Sequence, residues 1–158
     1  MFSRFRRVRV LYRIMKNCPV FQDLTFLEWR RLEMIAHERN YKSKEIIFEQ
    51  GDEGLGLYVV IEGKVQLAFE DHGVVREIDK LIPGDTFGEM TLIDGRDRLA
   101  QAVALEQTKL LVLFRPDVLS LIRTAPRVAA KVYSRLAELA AARLRSTLEQ
   151  FKKMQRSP

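Results

Sequence analysis

A carboxylate and a guanidinium stand nine positions apart in the middle of the chain, in Phe87-Gly88-Glu89-Met90-Thr91 through Arg98-Leu99-Ala100. Gly88 lets backbone approach a ligand closely, and a helical turn starting there points free N–H groups outward, a seat for phosphate. Arg98 offers a bidentate, charge-assisted fork to the same anion. Glu89 repels a phosphate but accepts well from a sugar hydroxyl. A compact phosphate joined to a ribose satisfies both groups at once. The alternative is a fold that has lost its ligand, with Arg98 paired to Asp94 or Asp97. Other chemistry lacks a constellation. His37, His72 and the single Cys18 stand apart from one another in the sequence, which argues against nucleophilic and metal catalysis. Gly51-Asp52-Glu53-Gly54-Leu55-Gly56 lacks the Lys-Ser/Thr ending of a P-loop and reads as a turn. Glu89, Asp94 and Asp97 do not form the tuned pair of a glycosidase.

The elements that must hold this stretch change character along the chain. Residues 19–40 read as helical, with Asp23-Leu24-Thr25 as the cap and Phe26, Trp29, Leu32, Met34, Ile35 and Ala36 near helical spacing. From Tyr41 onward come β-rich runs at 45–49, 57–61, 65–69, 74–81, 101–105 and 109–114, broken by Gly- and Asp-bearing turns. That rhythm indicates an antiparallel barrel or sandwich. Arg115-Pro116-Asp117 opens a short helix, Ala125-Pro126 ends it, and 127–154 runs without Gly or Pro as one long helix. Trp29, Tyr58 and the phenylalanines read as core.

The 158 residues suit one domain, with 47% hydrophobic and 30% charged residues. No apolar run is long enough to span a bilayer, and no secretory signal is evident; the expectation is a soluble, cytoplasmic protein. The net charge of +6 is uneven. Residues 1–16 carry six Lys/Arg and no acid, residues 123–158 nine against two acids, and the stretch between them twelve against nineteen. Residues 1–18 form a basic amphipathic segment that either meets an anionic membrane surface or packs its apolar side on the domain. In the long helix, Val128, Val132, Leu136, Leu139, Ala140, Leu144, Leu148 and Phe151 make an apolar face, more than a barrel needs to cover it, and a second copy is the expected partner.

Phe87-Gly88-Glu89-Met90 followed by Arg98 resembles the phosphate-binding cassette of the cyclic nucleotide-binding domain family. Gly51-Asp52-Glu53-Gly54, the run Leu57 to Val65 and Pro83-Gly84-Asp85 are similar to that family's landmarks over about residues 19–145. The resemblance implies a mainly β fold, a double-stranded β-helix (β-roll, jelly-roll-like) of eight strands, with N-terminal helices and a long C-terminal helix. It divides the chain into a basic segment at 1–18, the β-roll with its flanking helices at 19–125 and the long helix at 126–154. It implies a non-enzymatic regulatory module binding cAMP or cGMP, with no other cofactor and no metal. Arg98 then pairs with the cyclic phosphate and Glu89 accepts from the ribose 2′-hydroxyl. Phe87, Gly88, Met90, Thr91, Leu99 and Ala100 line the sugar-phosphate.

Three positions depart from the family pattern. Leu99 stands where a small or hydroxyl residue is usual, and Thr91 where a small Ala or Gly is usual, either donating a hydroxyl or crowding the site. The positions expected over the base fall at Ala141, Ala142, Arg143 and Leu144, without a hydroxyl pair; Arg143 either stacks on a purine or is a solvated helix arginine. Two other readings remain at this level. One is a ligand-free β-roll that binds protein, lipid or nucleic acid. The other is a transcription regulator fragment, with specific DNA binding not expected because the sequence stops at Pro158. A protein effector is a further expected partner of the sensor.

Overall fold

The runs Leu57–Ile61 and Leu110–Phe114 show no apolar-polar alternation, and the reason is that both of their faces are covered. A computed structural model describes residues 10–156. In it Gly56–Glu62 and Thr108–Phe114 form paired antiparallel strands. Leu57, Val59, Ile61, Leu111 and Leu113 face a cluster built with the helices. Tyr58, Val60, Leu110 and Val112 face the opposite way, into an inner cluster with Val65, Leu81, Phe87 and Ala102. A strand that alternates between two dry environments loses the usual apolar-polar alternation.

In chain order the strands are β1 (His37–Tyr41), β2 (Ile46–Phe48), β3 (Gly56–Glu62), β4 (Val65–Asp71), β5 (Val74–Leu81), β6 (Thr86–Phe87), β7 (Gln101–Ala104) and β8 (Thr108–Phe114). They make two four-stranded antiparallel sheets, β1-β8-β3-β6 and β2-β7-β4-β5. The eight strands expected of a β-roll are present; β2 to β5, β7 and β8 lie close to the runs that the turns bracket, whereas β1 falls in the stretch read as helix and β6 in none of those runs.

The helices are α1 (10–16 among the described residues), α2 (Phe26–Glu33), α3 (Met90–Asp94), α4 (Arg115–Thr124) and α5 (Pro126–Arg156). The helix expected over 19–40 is corrected to α2 alone, eight residues long. Thr25 caps it in a reciprocal box: Glu28 N–H donates to Thr25 Oγ1 (3.3 Å) and Thr25 N–H to Glu28 Oε2 (2.8 Å). Past Glu33 the chain turns and becomes β1, a sheet-edge strand whose sequence His-Glu-Arg-Asn-Tyr carries no apolar alternation to announce it. Trp29 and Tyr58 are core residues, as expected.

The described part of the N-terminal segment packs inward. Leu11, Met15 and Cys18 join the helical cluster with Val128, Val132 and Leu136 of α5. Burial pushes the Cys18 thiol up to about 12, so it is an inert packing group. The apolar side of 10–18 is thus committed to the domain; the basic residues at 1–9 lie outside the described residues. Among the described residues no helix is long and apolar enough to cross a membrane.

α5 is clasped to α2 and the segment before it by two ion pairs, Lys131 Nζ to Glu28 (2.7 Å) and Arg135 Nε to Asp23 (2.5 Å). The hydrogen bond from Arg135 holds Asp23 below its ordinary range, and that from Lys131 does the same for Glu28. A carboxyl that is more acidic folded than unfolded stabilises the fold above its unfolded value, about pH 4, and loses that contribution as the pH falls through the folded value. The melting temperature is therefore expected to fall more steeply below pH 4 in the parent than in the Lys131→Gln/Arg135→Gln double variant. A pH series of thermal melts checks this; parallel acid limbs would show that the clasp contributes nothing.

Candidate functional site

The stretch that carries the chemistry is fixed at both ends by backbone. After β5, the turn Pro83-Gly84-Asp85 is tied to β3: Gly84 N–H donates to Val60 O (2.9 Å) and Val60 N–H to Asp85 O (3.0 Å). β6 then pairs with β3, placing Phe87 opposite Tyr58. Gly88 has a positive φ of 73°, and a β-carbon on it would overlap Arg98 Nη1. No other residue combines that backbone with that proximity. Glu89 begins α3, and Gly95 ends it in the left-handed conformation (φ 67°), its N–H donating to Thr91 O (2.9 Å).

The loop after β2 grips the far end. Gly51 N–H donates to Arg98 O and Arg98 N–H to Asp52 O, both at 2.8 Å. The Gly51–Gly54 segment, read as a turn, thus clamps the arginine's backbone. Arg98 precedes the strand; β7 begins at Gln101.

Arg98 is 5% exposed. Its Nη1 donates to Gly88 O and Thr91 Oγ1, each at 3.1 Å, and its Nη2 to Gly56 O at 2.8 Å. The guanidinium lies 4.2 Å over the Phe48 ring and 5.5 Å from that of Tyr58, a cation–π contact that holds the charge without neutralising it. No carboxylate of the described residues forms an ion pair with it, so the alternative of Arg98 bound to Asp94 or Asp97 is overturned. Burial lowers its pKa from the ordinary arginine value. Its Nε is buried without an acceptor. Of five donors three are used, and two remain for a bidentate anion.

Glu89 is 6% exposed and faces the same space. Its carboxylate pairs with Arg143 of α5. Glu89, Arg98 and Arg143 line a cavity of about 450 Å³, the size of a small-ligand site. Gly88, Glu89, Met90, Thr91, Arg98, Leu99, Ala100 and Arg143 all line it. Phe87 does not: it is 1% exposed and stacks on Tyr58 at 5.1 Å in the inner cluster, so its expected place beside the ligand is corrected. Leu99 is 73% exposed at the cavity mouth and does not fill the interior. Ala141, Ala142 and Leu144 are exposed, and among these four positions only Arg143 reaches the cavity. Arg143, largely exposed, pairs with Glu89, a partner the sequence reading did not name. The apolar wall, Phe48, Leu67, Ile78 and Leu81 on β2, β4 and β5, was not foreseen. Its residues lie on predicted strands, but strand alternation does not say which inner face borders a ligand.

The family model described as "Cyclic nucleotide-binding domain" matches residues 38–125, more than half of the chain. The chain belongs to the cyclic nucleotide-binding domain family. Over 133 residues this domain is 46% identical to the cyclic AMP receptor protein of Thermus thermophilus, a match covering 83% of the chain and 59% of that protein. The crystal structure of the Thermus thermophilus catabolite activator protein superposes with a TM-score of 0.79 at 40% identity, covering 87% of this chain and 63% of that one. A cyclic nucleotide-binding domain from Methylobacillus flagellatus superposes at 0.81 with 25% identity, covering 97% and 86%. The chain thus spans about 60% of the length of the Thermus relative.

In this cyclic nucleotide-binding domain the Glu89–Arg143 pair ties the cassette to the distal part of the long helix, beyond the packing of Leu92 on α5. One side chain is buried and the other largely exposed, which places the pair's worth near that of a surface ion pair. A double-mutant cycle with Glu89→Gln and Arg143→Gln, read by denaturant unfolding, is expected to give a coupling of about 0.5–1 kcal/mol. The coupling shrinks in high salt. A coupling of zero would mean that this pair contributes nothing to holding α5 against the cassette.

Proposed function

We propose that the chain is a non-enzymatic sensor module that binds a cyclic nucleotide, cAMP or cGMP, and couples that binding to the position of α5. The observation that carries this reading is Arg98: a buried guanidinium with two uncommitted donors and no carboxylate partner, beside the cavity that Glu89 also faces. A buried, uncompensated charge is costly, and an anionic ligand compensates it. Arg98 grips the phosphate, and Glu89 accepts from the ribose hydroxyl. The apolar wall of Phe48, Leu67, Ile78 and Leu81 takes the less polar remainder of the ligand.

Coupling follows from competition for Glu89. A ribose hydroxyl that bonds to the carboxylate changes what Arg143 gains from it. The ligand thereby shifts the balance between arrangements of α5 by its difference in affinity for them. A tenfold difference corresponds to about 1.4 kcal/mol, comparable to the pair itself.

Titration calorimetry with cAMP, cGMP and linear AMP tests the binding. The expected result is binding of at least one cyclic nucleotide in preference to the linear control. Arg98→Ala is expected to weaken it about ten- to a hundredfold. Absence of binding to both cyclic nucleotides would overturn the reading.

The distal part of α5 supports a second copy as partner. From Ala140 every residue whose exposure is described is exposed. Leu144, Leu148 and Phe151 recur at spacings of four and three along this part, the seam of a two-helix pairing. Sedimentation is expected to give a dimer for the parent and a monomer for Leu144→Lys/Leu148→Lys. A parent that stays monomeric at high micromolar concentration would remove the dimer from the proposal.

A further inference from the structure

One side chain at the site has a task that phosphate binding does not itself require. Thr91 stands in the first turn of α3, 3% exposed. Its Oγ1 accepts from Arg98 Nη1 at 3.1 Å and donates toward Arg96 O at 3.5 Å. Across from it stands Gly54, also buried; a β-carbon there would overlap Thr91 Oγ1 and Cγ2 and Arg96 O. The missing side chain at 54 leaves the room that the threonine side chain occupies.

We propose that Thr91 is a positioning residue whose hydroxyl holds the Arg98 guanidinium in the orientation that leaves two donors available to a ligand anion. The inference rests on the binding reading above and adds to it how the arginine is kept in place before ligand arrives. The other two acceptors, Gly88 O and Gly56 O, are backbone and come with any sequence that folds this way. Thr91 supplies a side-chain acceptor at 3.1 Å. A carboxylate at this position would fix the guanidinium equally well but would neutralise it and compete with the incoming anion. A small residue would leave Nη1 with Gly88 O alone. A hydroxyl fixes the group with a neutral dipole and keeps the charge for the ligand. The β-branch of threonine restricts χ1 and so holds the oxygen on target. The hydroxyl oxygen is engaged by Arg98 at 3.1 Å, whereas its own donor contact to Arg96 O is long at 3.5 Å.

The test compares Thr91→Val, which keeps the shape and removes the acceptor, with Thr91→Ser, which keeps the acceptor. Thr91→Ala serves as a second deletion should the valine variant not fold. Side-chain nitrogen NMR of the full chain without ligand reads the Arg98 guanidinium directly. Thr91→Val is expected to speed rotation and hydrogen exchange of the Arg98 Nη groups, and Thr91→Ser to restore the parent rates. Calorimetry with cAMP is expected to show Thr91→Val about five- to tenfold weaker, with Thr91→Ser recovering most of the loss. Unchanged Arg98 exchange in Thr91→Val overturns the inference, and so does an unchanged cAMP affinity. A parent that binds no cyclic nucleotide defeats the binding reading, while the ligand-free NMR comparison still decides whether Thr91 holds the arginine.

Discussion

A single guanidinium, taken out of water and held only by neutral oxygens and an aromatic face, sets the requirements for most of this molecule. Arg98 needs acceptors from three places far apart in sequence: Gly56 O on β3, Gly88 O after β6 and Thr91 Oγ1 on α3. Those three meet because β3 is central to its sheet, pairing with β8 on one side and β6 on the other. The aromatic cluster of Phe48, Tyr58 and Phe87 completes the seat, with Phe48 and Tyr58 lying against the charge and Phe87 stacked beneath Tyr58. Removing carboxylates from this list is as necessary as supplying oxygens. A paired arginine would be a structural ion pair, whereas this one keeps its charge directed at the cavity.

The glycines around the site answer to the same demand. Gly88 and Gly54 are close-approach positions: one lies against the guanidinium itself, the other against the threonine that orients it. At Gly88 the positive φ compounds the lack of space. Gly95, at φ 67°, lets α3 stop after five residues and return the chain toward Arg98. A cassette of this kind is built as much from absent β-carbons as from charged groups.

How much of this could be read from residues alone follows from the range over which each piece is specified. The Glu89 and Arg98 pairing of types was legible because both sit in one short stretch with a turn between them. The paired strands were legible where turn residues bracketed apolar runs. β1 was not, because His37–Tyr41 is a polar edge strand, and the helical pattern before it ran on past its true end at Glu33. Phe87 was misplaced because adjacency to Gly88 says nothing about facing, and strand pairing turned its ring inward. The Gly56 acceptor lies 42 residues from the arginine it serves, a relation that only topology creates. Arg143 was located as a residue near the ligand, but its carboxylate partner emerged only from the crossing of α5 over the cassette.

That crossing divides α5 into two parts of unequal hold. Its first part is fixed by Val128, Ala129, Val132 and Leu136, all almost fully buried. Each large apolar side chain of that kind contributes about 1.5–3 kcal/mol. Beyond Leu139 no apolar side chain of the described residues is buried, and what links the helix to the cassette there is the Glu89–Arg143 pair, about an order of magnitude weaker than the anchor as a whole. A ligand that competes for Glu89 has leverage comparable to the pair's hold on the distal part. In the proposed sensor, a change driven through Glu89 acts on the region past Leu139, where the exposed Leu144, Leu148 and Phe151 lie. The same weak pair that reports on the cavity sits at the start of the stripe that meets a second copy in the proposed dimer, so occupancy and pairing act on one short length of helix.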